Sequence, residues 1–155
     1  MKKTIQFITW VVVLQLIGYG MGQITDASVD PWYLALTKSG MTPPGYVFGI
    51  VWTVLYLMLA AVGWQLWVDS GVEATQKLRA LFAAQLVFNW LWTPLFFYLH
   101  WVGAALLCLG LIVLLTAKFL VLAYRYRMCL FWLMLPYFLW VCFASYLNAA
   151  IYIGI

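Results

Sequence analysis

Three apolar stretches of this chain carry aromatic or carboxamide side chains at steps of four, the spacing that places them on one face of a helix. Gln85 and Asn89 form one such pair, and Trp92 and Phe96 continue their face. Trp140, Ala144 and Asn148 repeat the step nearer the C-terminus, with Tyr137 beside them, and Phe48, Trp52 and Tyr56 repeat it once more. Three helices presenting these faces to one another would line a flat-walled, apolar and sparsely polar cavity, suited to a large planar hydrophobic ligand. A second reading stays open. Aromatic side chains also form belts at membrane interfaces, and carboxamides also bond neighbouring helices together. The sequence shows no carboxylate pair, no Ser/His/Asp set and no metal-ligand cluster, so a conventional active site is not expected. Cys108, Cys129 and Cys142 match no zinc, redox or haem-attachment spacing and read as reduced packing residues. His100, the single histidine, reads as a solvated loop residue rather than a haem ligand, and no metal and no required cofactor are expected.

The elements that position these residues follow from composition. Apolar types make up 68% of the 155 residues and charged types 8%, whereas a soluble domain carries roughly a quarter charged residues to wet its surface. The fold class expected is therefore all-α: a single polytopic domain over 1–155 with five transmembrane helices and a long loop between the first two. The spans fall at roughly 4–25, 46–68, 79–99, 101–124 and 128–153, with a lid loop over 26–45. Each approaches the ~20 apolar residues that cross a bilayer, and backbone groups in hydrocarbon must pair within their own segment, which selects helices. Met1-Lys2-Lys3 before an apolar run also resembles a signal peptide, with Gly20-Met21-Gly22 as a cleavage-like site; we read the segment as retained, as the first span. Trp10, Trp67 and Trp101 near span ends read as interfacial-belt or helix-packing residues.

The net charge of +4 does not imply nucleic acid, because the basic residues sit at span ends and form no stripe with interleaved aromatics. Lys2, Lys3, Lys77, Arg79, Arg125 and Arg127 share one side, with Lys118 near it, and Lys38 alone occupies the other. In a bacterial inner membrane this puts the N-terminus in the cytoplasm; the sequence does not distinguish inner from outer membrane. The 26–45 segment is punctuated by Pro31, Gly40, Pro43, Pro44 and Gly45 yet carries Trp32, Tyr33, Leu34 and Leu36, so we expect it to fold over one mouth of the bundle. Gly18 and Gly22 in the first span, and Ser145 and Ala149 in the fifth, permit close helix approach and leave a structural or assembly role open. A coupled transporter is disfavoured, since no acidic residue lies inside a span.

Three segments together resemble the translocator protein/tryptophan-rich sensory protein (TspO/MBR) family: PPGYVFGIVWTVLY from Pro43, QLVFNWLWTPLFF from Gln85 and LPYFLWVCFASYLNAAI from Leu135. Trp32, Tyr33 and the later Lys38 match its first loop. The resemblance implies a tryptophan-rich five-helix bundle, commonly a homodimer, acting as a receptor or in transport. It implies binding of tetrapyrroles such as protoporphyrin and haem, and in some members of cholesterol and of isoquinoline or benzodiazepine-type drugs. Family pocket positions then fall on Trp52, Asn89 and Trp140, with Tyr33, Pro44, Tyr56, Trp92 and Ala144 around them; Asn148 extends the fifth-span face and Lys38 would meet the propionates. The alternative it implies is a light- and oxygen-dependent porphyrin-degrading enzyme in which Trp52 and Trp140 take part. Two departures stand out. Lys38-Ser39-Gly40-Met41 replaces the usual Lys-Pro-x-Trp, which predicts a more flexible, less aromatic lid, and the C-terminal cholesterol motif lacks its basic residue. Leu122, Tyr124 and Arg127 give a second formal match to that motif, equally readable as an aromatic-basic span end.

Overall fold

The computed structural model describes residues 2–68 and 73–154. Met1 and Ile155, the ends of the expected domain, lie outside the described residues. Five α-helices follow one another: α1 (Lys2–Ser28), α2 (Gly45–Val68), α3 (Glu73–Thr93), α4 (Val102–Tyr126) and α5 (Met128–Ile153). All five are long and apolar enough to cross a membrane, and among the described residues there is no strand. At 1.5 Å per residue, a helix of 24 residues such as α2 spans about 36 Å, more than the ~30 Å of hydrocarbon it must cross.

The expected boundaries hold closely for α2, α4 and α5 and shift at two places. The first helix runs beyond 25 to Ser28 and continues as a π turn, Val29–Tyr33, so half of the expected 26–45 loop is helical. Asp30 alone departs from helical geometry there, at φ −115° and ψ 129°, because a residue preceding proline is pushed towards extended backbone and Pro31 follows it. The linker without helix is thereby reduced to 36–44. The third helix begins at Glu73 rather than near 79; a carboxylate in its first turn suits the positive end of the helix dipole, and Glu73 pairs with Lys77 at 2.8 Å. Its far end changes to a π turn, Pro94–Tyr98.

Around the bundle α1 packs on α2, α2 on α5, α5 on α4 and α4 on α3, and the Pro94–Tyr98 turn closes the ring against α1. The α4/α5 and α3/α4 seams are the most extensive and the α2/α5 seam is shorter. Leu59, Leu66, Phe82, Ile112, Phe119, Leu130 and Met134 form the centre of the core. Helix α1 is peripheral and buries only Leu14 fully, while Ile5, Val12 and Leu16 on it, and Leu107, Leu114 and Leu139 elsewhere, face outward as lipid-contacting residues do.

Small residues seat large rings where α1 meets α2. Trp10 lies flat against Gly63, whose missing Cβ would fall 2.7 Å from the indole, and touches Trp67 and Phe82 at centroid distances of 5.3 and 6.2 Å. Trp10 is thus a packing residue, one of the two roles its place near a span end left open; Trp67 touches the same rings while remaining exposed. Gly18 performs the corresponding service for Tyr56: a Cβ there would stand 2.8 Å from the phenol ring. Gly22, its partner in the small-residue motif, has no neighbour within 4 Å.

Candidate ligand site between helices α2, α3 and α5

The helical period turns Gln85, Asn89 and Phe96 inward together, with Trp92 half-buried on the same side. Asn89 Oδ1 accepts a hydrogen bond from the Tyr56 hydroxyl at 3.0 Å, which ties α3 to α2. Asn148 Oδ1 accepts from the Trp92 indole N–H at 3.2 Å, and its Nδ2 donates to the Val102 carbonyl at 3.0 Å, tying α5 to α3 and to the start of α4. Both carboxamides therefore serve as interhelical ties and sit on the wall of the expected site. Gln85 does neither: it is fully buried, and neither atom of its amide has a hydrogen-bond partner.

Trp52 touches Tyr56 and Tyr137 at centroid distances of 5.6 and 6.4 Å, so α2 and α5 meet through aromatic rings. One turn further along each helix, Trp140 packs edge-on against Phe48 at 5.6 Å and beside Phe143 at 5.6 Å. Trp52, Phe48, Trp140 and Phe143 are all half-buried, whereas Tyr56, Tyr137, Asn89 and Ala144 behind them are buried. The site is thus a seam of part-exposed rings over a polar floor. Two donors on it have no acceptor among the described residues: the Tyr137 hydroxyl and the Trp140 indole N–H. The space between the three faces, expected as an open hollow, is filled by Tyr56, Tyr137 and Asn89, because edge-to-face rings pack to high density. Two open clefts, of 380 and 270 Å³, lie at the opposite end of the bundle, and neither is lined by Trp52 or Trp140.

The lid end is built differently from its sequence reading. Tyr33 lies on Phe96 and Phe97 at centroid distances of 6.3 and 5.7 Å. Lys38 is turned back on its own loop: Nζ donates to the carbonyls of Tyr33, Leu34 and Leu36 at 2.8, 3.2 and 3.0 Å and stands 4.9 Å above the Tyr33 ring. An ammonium has three protons, so this arrangement uses them all and leaves none for a ligand carboxylate. Lys38 staples the end of the first helix; it is not placed as a propionate partner. Ser39, where the lid departs from the family pattern, bonds the Tyr146 hydroxyl on α5 at 2.8 Å and also accepts from the Met41 N–H, so the departure brings an anchor of its own. Pro44 is exposed and starts α2, its carbonyl accepting from Val47 N–H at 3.0 Å. His100 is exposed but stacks on Trp32 with centroids 3.9 Å apart and planes 13° from parallel, a partner that its loop position does not disclose.

Two residues here were not among the expected pocket positions: Tyr137, which the sequence placed only beside the Trp140 face, and Trp90. Tyr137 precedes Trp140 by three positions, so its helical face was readable; Trp90, buried at its N–H without a partner, lies off the Asn89 face and carries no periodic signal. Cys108 is buried and donates its thiol to the Phe88 carbonyl at 3.2 Å, consistent with a packing role.

The sequence pattern of the TspO/MBR family matches residues 10–153. The chain is 35% identical to the tryptophan-rich protein TspO of Archaeoglobus fulgidus over 96% of both chains. It is 32% identical to the tryptophan-rich sensory protein of Cereibacter sphaeroides, covering 77% of this chain and 73% of that one. The translocator protein of Homo sapiens is likewise 32% identical, over 78% of this chain and 73% of its own. With five bilayer-length helices and a family pattern that runs from the third turn of α1 to the last turn of α5, the chain is an integral membrane protein and belongs to the TspO/MBR family.

Proposed function

We propose that this protein is a receptor- or transporter-like membrane protein that binds tetrapyrroles, protoporphyrin or haem, and related flat hydrophobic molecules at the α2/α5 seam. Family membership supports the membrane role. The observation that carries the ligand class is the seam itself: half-buried Trp52, Phe48, Trp140 and Phe143 stand over a buried Tyr56–Asn89–Tyr137 floor with unspent donors. A macrocycle sliding between the two helices would exchange ring-to-ring contacts for ring-to-macrocycle stacking, each worth about 0.5–1.5 kcal/mol beyond the area buried. The Tyr137 hydroxyl and Trp140 N–H would donate to polar atoms of the guest. With Lys38 engaged by loop carbonyls, the carboxylate edge of a porphyrin would point out of the seam towards water.

Titration of purified protein with protoporphyrin, followed by tryptophan fluorescence, tests this. Saturable quenching in the parent that is lost in Trp140→Ala supports the seam; quenching that never saturates, equal in both, means partition into the micelle and removes the proposal. The enzymatic alternative has one observation in its favour: Trp52, Tyr56 and Tyr137 form a contiguous set of oxidisable rings at the same place. Illuminating the bound porphyrin in air decides it, since a degrading enzyme bleaches the ligand faster than Trp52→Phe does, and a receptor does not.

A further inference from the structure

Three of the five helices, α1, α3 and α5, begin at the end of the bundle where α2 finishes and α4 turns into α5; α1, the end of α2 and the α4–α5 link meet there. Between them opens the 270 Å³ cleft, lined by Lys3, Trp64, Gln65, Val68 and Arg127. We infer that this cleft is a seat for the headgroup of an anionic phospholipid.

The lining has the chemistry of a phosphodiester site in a membrane. Two cations and a carboxamide face the cleft, and among the described residues no carboxylate does. Lys3 forms no ion pair among the described residues, in contrast with Lys77, which is paired to Glu73, and Arg79, whose Nε donates to the Leu66 carbonyl at 2.7 Å. The Trp64 N–H donates to the Lys3 carbonyl at 3.1 Å, so the indole closes one wall and holds the first turn of α1 in place. Gln65 Nε2 points at Cys129 Sγ, 3.8 Å away; a thiol sulfur is a weak acceptor, and a phosphate oxygen would take that proton more strongly.

Charge complementarity selects the occupant. Seven of the eight basic residues lie towards this end of the bundle, where Glu73 is the acidic side chain among the described residues, while the opposite end holds Lys38 with Asp26 and Asp30. A surface so biased attracts acidic lipid. The cleft opens beside the exposed apolar flank of α1, at Ile5 and Ile8, along which acyl chains would lie while the headgroup sits against Lys3 and Arg127. A soluble phosphate would meet the same cations but would have no use for that flank.

The test is retention of lipid by the intact protein, counted by native mass spectrometry after exchange into detergent carrying equal phosphatidylglycerol and phosphatidylcholine. At about 0.3 M salt the diffuse surface potential is largely screened, so what remains is local contact. The parent is expected to retain phosphatidylglycerol over phosphatidylcholine. Lys3→Gln should weaken that preference about fivefold, the equivalent of one basic residue at a lipid surface. Gln65→Glu, which sets a carboxylate into the cleft without touching either cation, should weaken it at least as much. Lys118→Gln removes the same charge outside the cleft and should change it less than twofold. Equal losses from Lys118→Gln and Lys3→Gln would show only a general surface attraction and overturn the site. Displacement of the lipid by millimolar glycerophosphate would show an anion site rather than a lipid site and overturn it equally. Lys3 is exposed in the first turn of α1, and circular dichroism of each variant confirms that lost retention is not lost fold.

Discussion

Substituting Gly18 by alanine isolates the contact on which the polar floor rests. The new methyl carbon would lie 2.8 Å from two atoms of the Tyr56 ring, inside van der Waals contact. Tyr56 cannot swing freely, since it is 4% exposed, abuts Trp52 and donates to Asn89. Overpacking of this kind costs about 1–3 kcal/mol. If the ring moves far enough to break its hydrogen bond, about 1 kcal/mol more is lost. Against this, alanine gains up to about 1 kcal/mol over glycine in helix propensity, which leaves a net destabilisation of about 1–3 kcal/mol. Gly20, two residues along the same helix, has nothing within 4 Å of its added Cβ, so Gly20→Ala should be neutral or stabilising by up to about 1 kcal/mol. Equilibrium unfolding in mixed micelles under rising dodecyl sulfate measures both, and protoporphyrin titration of the same samples reports on the seam. Gly18→Ala unfolding at the same denaturant fraction as Gly20→Ala would refute the claim that the phenol ring is clamped between the two helices.

The two tyrosines of the floor should behave oppositely. Tyr56→Phe strands the Asn89 carbonyl and should cost about 0.5–2 kcal/mol in the same unfolding assay, whereas Tyr137→Phe deletes a hydroxyl with no protein partner and should cost nothing while weakening porphyrin binding. Lys38→Met should speed amide exchange over residues 33–42 by removing three carbonyl contacts, with Lys38→Arg partly restoring protection; unchanged exchange would show that the staple is not formed in solution. Ser39→Ala should loosen the same segment less, since it loses one exposed bond to Tyr146.

Much of this architecture is legible in the residues. Long uncharged runs mark the spans because hydrocarbon admits few alternatives to a helix. The inward face of α3 was readable because Gln85, Asn89 and Phe96 recur with the helix and the structure buries all three. Boundaries were harder where polar residues extend a helix beyond the hydrocarbon: Glu73 and Lys77 support a further turn and a half of α3, and α1 persists past Asp26 until Pro31 disturbs it. The role of Lys38 was not legible, since its charge suggests a ligand partner and only the folded loop brings three carbonyls within its reach. The role of Trp10 was left open for a related reason: a place near a helix end fits an interfacial or a packing ring, and its seat on Gly63 appears only when α1 and α2 pack. Residue types identified the walls of the site, but how far rings on three helices interlock depends on their relative rotation, which periodicity does not report.

The central claim, that a flat guest occupies the α2/α5 seam, is tested most directly by fluorine NMR of protein labelled with 5-fluorotryptophan. A bound macrocycle shifts nearby nuclei by its ring current, and the ten tryptophans are spread over the whole bundle. We predict that saturating protoporphyrin displaces the Trp52 and Trp140 resonances, assigned by single Trp→Phe substitutions, while lipid-facing Trp101 and Trp132 stay in place. Shifts confined to Trp101 and Trp132, or no saturable shift at Trp52 and Trp140, would contradict it.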